Sequence, residues 1–161
     1  MNEKMTVAEL IAEVRKTQTL LDGNASYYHE FVATDFATLG RKTSMAMALS
    51  QVMVDYYTAI ETLFLRISQF FENSLKKDEW HKDLLYKMTL DVENCRVPVI
   101  ADETFARLQE LLRFRHFRRY YFEQNYDWDR IEMVRKKYAE VHPMVKRDLD
   151  RFVGFLHQLL A

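Results

Sequence analysis

Apolar residues recur at steps of three and four along almost the whole chain, the period of helices with one buried face. Val7, Leu10, Ile11 and Val14 form such a stripe behind Thr6 and Glu9, whose spacing is that of a capping box, so a first helix is predicted over residues 6–21. Asp22-Gly23-Asn24 reads as its stop. Residues 26–74 keep the helical pattern, with Gly40 as the break or kink that separates a shorter helix from a long one at 43–73. In the long helix Met45, Leu49, Val52, Tyr56, Ile60, Leu63, Ile67 and Phe70 make a core stripe.

Lys76-Lys77-Asp78 reads as a turn, with Asp78 as N-cap of a short helix over 79–89. Residues 90–102 contain Pro98 and lose the periodicity, which predicts an extended connection. Asp102 is placed to cap a helix over 103–123, residues 124–127 form a linker, and Asp129 starts a last helix to Leu160, bent or broken near Pro143. The pattern therefore predicts one domain over 1–161, an all-α, up-and-down helical bundle of four to six helices.

Composition agrees. Three glycines and two prolines in 161 residues are too few for the frequent turns of a sheet protein, and 48% hydrophobic residues are enough to build a core. The net charge of −1 confines any basic site to a local patch. Cys95 is the one cysteine, which rules out an internal disulfide and suits a reducing cytoplasm; it reads as a half-buried loop residue. The N-terminal residues lack the apolar run of a signal peptide, and no uncharged apolar stretch is long enough to predict a membrane span.

The segment ETFARLQELLRFRHFRRYYFE is the least ordinary. Arg113, Arg115, Arg118 and Arg119 fall within seven residues, with His116 among them and Tyr120 and Tyr121 directly after. Leu108, Leu111, Leu112 and Phe122 supply its apolar stripe. Arginines so close repel one another unless they face acids or an anionic ligand. The guanidinium fork matches phosphate and neighbouring aromatics can stack on bases; equally, the arginines can lie over the core and pair with Glu123, Asp127 or Asp129. The residues alone leave both readings open. Glu61, inside the apolar stretch DYYTAIETLF, is either exposed on a polar face or paired with one of these arginines. Trp80 reads as a core anchor and His81 as a surface or capping residue.

Other chemistries lack their residues. No histidine follows a glutamate by three positions, and there is no HExxH, no Cys/His cluster, no Gly-rich phosphate loop and no Gly-x-Ser-x-Gly elbow. No metal and no cofactor is expected.

The segments DYYTAIETLFLRI, EWHKDLLYKM, VPVIADETFARLQELLRFRHFRRYYF and YDWDRI resemble, in order and spacing, the HepT-like branch of HEPN domains over residues 40–160, about three-quarters of the chain. The LLRFRH…YDWDR run and the Trp-His start of the short helix are its most specific parts. The resemblance implies a HEPN-type bundle that forms a homodimer, with the arginine and histidine of an R-x4-6-H motif lining a cleft between subunits. It further implies the toxin half of a toxin–antitoxin pair, a metal-independent endoribonuclease. The partner would be a minimal nucleotidyltransferase antitoxin, which in some family members attaches AMP to a tyrosine two residues after the histidine.

The family pattern, roughly LLRFRHxxRHxY, puts the motif arginine on Arg115. It also puts the motif histidine on Tyr120 and the modifiable tyrosine on Phe122, so both signature side chains are replaced while Arg115 and Arg119 remain. Cleavage of RNA by its own 2′-OH needs a base, an acid and positive charge on the phosphorane. Arginines supply the charge, whereas tyrosine, with a pKa of about 10, is a poor base. His116 stands one turn before Tyr120, about 40° away around the helix and roughly 6 Å along it. Residues 115 and 120 are about 140° apart on a regular helix, which calls for a composite site across a two-fold axis or for an irregular helix. The candidate catalytic residues are thus Arg115, Arg119, His116 and Tyr120, with Arg113, Arg118 and Tyr121 as RNA- or nucleotide-binding residues. The degenerate motif keeps a second reading open, a non-catalytic subunit that binds a nucleotidyltransferase or a nucleotide. A third is a plain helical interaction protein with its arginines paired internally.

Overall fold

The computed structural model describes residues 4–72, 80–120 and 126–161, with 80–82 and 119–120 described at the backbone only. Its elements are α1 (Val7–Phe31), a π-helical turn (Val32–Phe36), α2 (Ala37–Leu39), α3 (Thr43–Glu72), α4 (Trp80–Lys87), α5 (Asp102–Tyr120) and α6 (Trp128–Leu160). The all-α, up-and-down architecture is the one the periodicity predicts. α3 is the central helix, and α1, α4, α5 and α6 all pack against it. Its stripe from Met45 to Ile67 is buried as expected, and Phe70 at its end is half-buried.

α1 opens on the expected capping box. Thr6 Oγ1 accepts from the Glu9 backbone N–H at 3.2 Å, and the Glu9 carboxylate accepts from the Thr6 N–H at 2.7 Å. The helix does not stop at Asp22-Gly23-Asn24 but runs on to Phe31. Asp and Asn interrupt helices when their side chains bond the local backbone; here both are engaged across the bundle. Asp22 receives His142 and Lys146 of α6, each at 3.0 Å, and Asn24 accepts from the Tyr138 hydroxyl at 2.7 Å and donates to the Val52 carbonyl at 3.0 Å. The break comes at Gly40, where φ is 70°, a value glycine adopts without strain.

The expected N-cap Asp78 lies outside the described residues, as do the side chains of Trp80 and His81. The connection over 90–102 is less extended than its sequence suggests. Val92 and Arg96 form an isolated bridge around Asn94, which takes a positive φ of 59°. This turn brings Arg96 inward until its side chain is fully buried. Its Nη1 donates to the Leu90 carbonyl at 3.0 Å, and its Nη2 to the Lys87 carbonyl at 2.9 Å and to Glu72 at 3.0 Å. One guanidinium thus ties the ends of α3 and α4 to the connection. Arg96→Ala is expected to cost about 3–5 kcal/mol, the usual loss when one partner of a buried pair is removed. Arg96→Lys should recover little of it, because an ammonium cannot span the same acceptors. Urea unfolding of the two variants measures both.

α5 begins at Asp102, which is its first helical residue and not its cap. The cap comes from α6: Asp148 Oδ2 accepts from the Ala101 N–H at 3.0 Å and from Thr104 Oγ1 at 2.6 Å. α6 starts at Trp128, one residue before the predicted Asp129, with Asp127 as its N-cap. It runs through Pro143 as one helix. Proline removes a backbone hydrogen bond at a cost of about 3 kcal/mol. Against this, Ile131, Val134, Tyr138, Val141, Val145, Leu149, Phe152 and Leu156 are buried on both sides of it, each side chain contributing roughly 1.5–3 kcal/mol. Among the described residues no helix is long and apolar enough to cross a membrane.

Candidate functional site

Leu108 and Leu111 carry the buried face of α5, and a further step of four reaches Arg115. Arg115 therefore leaves α5 on the side that packs against α3, although it is charged. Glu61 of α3 meets it. Arg115 Nη1 donates to Glu61 Oε1 at 3.1 Å and Nη2 to Oε2 at 2.7 Å, a bidentate pair with side-chain exposures of 24% and 16%. Thr58 Oγ1 lies 3.4 Å from the same Nη1. The Tyr57 ring sits beneath the guanidinium, 4.8 Å from its carbon to the ring centroid. Glu61 is thus the paired acid, not an exposed one.

The pair leaves the guanidinium fixed but not exhausted. Of its five N–H groups, the contacts to Glu61 and Thr58 use one on Nη2 and both on Nη1. The Nε–H and the second Nη2–H, which together form the other fork of the guanidinium, have no partner among the described residues. That edge matches two oxygens of a phosphate, and its direction is held by a carboxylate at one end and an aromatic face below. The Tyr57 phenol is not a base for any reaction here. Burial, with the Glu61 charge adding and the Arg115 charge opposing, pushes it well above the ordinary tyrosine range.

The other candidates are spread around the helix. Arg113 is exposed and pairs with Glu110 at 2.7 Å, not with Asp127 or Asp129; Glu123 lies outside the described residues. His116 is exposed and Arg118 half-buried. Tyr120 ends α5; its side chain and that of Arg119 lie outside the described residues, as do Tyr121 and Phe122 entirely. The end of α5 is held by Arg130 of α6, whose guanidinium carbon is 4.0 Å from the Phe117 ring centroid. Among the described residues no three potential metal-ligating side chains come together. A crevice of about 460 Å³ between α1 and α3, lined by Asn24, Tyr27, Ala48, Gln51, Val52 and Asp55, contains none of the candidates.

Sequence reasoning did not select Tyr57 and Thr58. The signal was present, since Glu61 is one helical turn from each and all three lie in DYYTAIE, but only the packing of α5 shows which arginine they serve. Searches of curated proteins and of solved structures find no match. A family model described as HepT-like protein matches residues 48–156, which takes in α4, α5 and most of α3 and α6. The match spans Glu61, Tyr57 and the whole arginine cluster, and with the all-α bundle around them the chain belongs to the HepT-like protein family, with a HEPN-type fold.

Proposed function

We propose that this protein is the toxin component of a toxin–antitoxin pair, a metal-independent endoribonuclease in which Arg115 binds the scissile phosphate. The observation that carries this reading is the bidentate Arg115–Glu61 pair over Tyr57, with one guanidinium fork left over among the described residues. A cation already oriented in a partly dry site stabilises a developing phosphorane charge without reorganising. Arg119, Arg113 and Arg118 on the same helix add positive charge for the flanking RNA, and Tyr121 follows as a stacking candidate. In a homodimer the two α5 helices would bring Arg115 of one subunit towards Tyr120 and His116 of the other. There, His116 is the better base for the 2′-OH. The cytoplasm is the compartment where such an activity meets its RNA, and a minimal nucleotidyltransferase is the partner that would restrain it.

A second reading, a non-catalytic subunit that binds the nucleotidyltransferase or a nucleotide, draws support from Tyr120 at the motif histidine position. Expression of the chain with and without the neighbouring nucleotidyltransferase gene separates the two. A toxin slows growth when expressed alone, is relieved by the neighbour and by Arg115→Ala, and cleaves RNA in the presence of a chelator. Unimpaired growth together with co-elution of the two proteins supports the binding subunit, and unimpaired growth without co-elution removes both.

A further inference from the structure

Between α1, α3 and α6 a chain of polar side chains that the candidate site does not use runs from the core at Tyr56 to the half-exposed Asp22. The Tyr56 hydroxyl of α3 is 2.8 Å from His142 Nδ1 of α6, and His142 Nε2 is 3.0 Å from Asp22 Oδ1 of α1, which also receives Lys146 at 3.0 Å. Tyr56 is fully buried, and its ring packs edge-on against those of Tyr138 and His142. Burial, together with the charges of Tyr138 and Asp22, pushes its phenol far above the ordinary range, so the hydroxyl keeps its proton and donates it.

That donor fixes the imidazole. Nδ1 must accept, so the hydrogen of a neutral ring sits on Nε2 and is donated to Asp22. A proton on Nδ1 would make it a donor too. The Tyr56 oxygen could then only accept, and its own O–H would be left without an acceptor in a dry core. We propose that the Tyr56–His142–Asp22 chain is a proton-sensitive latch, one that fastens α1 to α3 and α6 at neutral pH and weakens as the medium acidifies.

The charged and titratable groups around the ring are Asp22 and His29 on α1, Tyr56 on α3, and Tyr138 and Lys146 on α6. Burial lowers the His142 pKa, Asp22 opposes, and Lys146 and His29 add to the lowering; the net value lies below the ordinary 6.5. The unfolded chain therefore takes up the proton first. The latch contributes fully above about pH 6.5, and its contribution is lost as pH falls from there through the lower folded-state value. The Asp22 carboxyl is itself held below its ordinary value: burial raises it, and Lys146 and His142 more than offset that. Its loss belongs to a separate window, below about pH 4.

Thermal midpoints of the full chain between pH 7.5 and 5, read beside the nitrogen shifts of its imidazoles, test the latch. The wild type should lose a few degrees below pH 6.5 and show His142 as the Nε2–H tautomer. His142→Phe should be less stable at neutral pH but lack that part of the slope. Tyr56→Phe removes the stranded hydroxyl, so His142 should titrate closer to the ordinary value and the slope should shrink. An Nδ1–H tautomer, titration at or above 6.5, or an unchanged slope in His142→Phe would overturn the proposal. If His142→Phe does not fold, the tautomer and Tyr56→Phe decide it.

Discussion

Under the proposed ribonuclease function, Arg115→Ala is expected to lower RNA cleavage by about 10²–10³-fold, the usual loss when one preorganised charge donor is removed from a transition state. The truncation also strands the Glu61 carboxylate, which is only 16% exposed, so part of any effect in cells would come from lower stability. Combining Arg115→Ala with Glu61→Gln removes the stranded charge. The double variant should recover stability and remain inactive. Arg115→Lys should regain only a small part of the activity, because an ammonium that pairs with Glu61 has no second fork to offer phosphate. Glu61→Gln alone should lower cleavage about tenfold, through a looser guanidinium. An increase in cleavage by Glu61→Gln would instead make the pair a brake on the arginine. Rates on a single-stranded RNA, with thermal midpoints of each variant, distinguish these results.

The second large effect is on the fold. The Asp148 side chain is fully buried, accepts from the Ala101 N–H and Thr104 Oγ1, and is met by Arg147 at 3.2 Å and Arg151 at 3.7 Å. It holds the start of α5 against the middle of α6. Asp148→Ala leaves a half-buried backbone donor and a buried hydroxyl without an acceptor, at an expected cost of about 3–5 kcal/mol. For a chain of this size that is roughly a 10 °C fall in thermal midpoint. Asp148→Asn keeps one acceptor oxygen and should lose less than half as much. A fall of only a degree or two in Asp148→Ala would show that α5 is capped without this contact.

The helices were legible because their signal is local. The 3.6-residue stripe of α3 and the Thr6/Glu9 capping box of α1 are properties of neighbouring residues, and the structure keeps both. The misreadings have a common cause. Asp22-Gly23-Asn24 and Asp102 are each a local stop or start signal, and each is overridden by a partner distant in sequence. Asp22 and Asn24 are occupied by α6 and α3, and Asp102 is displaced from its capping role by Asp148; α6 stays unbroken at Pro143, carried by the buried stripe of the same helix. Arg96 went unnoticed because a lone arginine in a loop has no local pattern that marks it as buried.

The candidate site divides the same way. By itself the sequence determined the all-α class and the arginine-dense helix, both of which are read from residue types and spacing along one chain; Tyr120 in the place of a motif histidine is what the family resemblance implies. The sequence left Arg115 no more distinguished by its own chemistry than Arg113 or Arg118. Only the tertiary structure decided that Arg115 lies on the α3-facing stripe, that Glu61 and Tyr57 fix its guanidinium, and that Arg113 pairs along its own helix with Glu110. The physical reason is that an arginine's role depends on which acids and rings its long side chain reaches, and helix packing sets that reach.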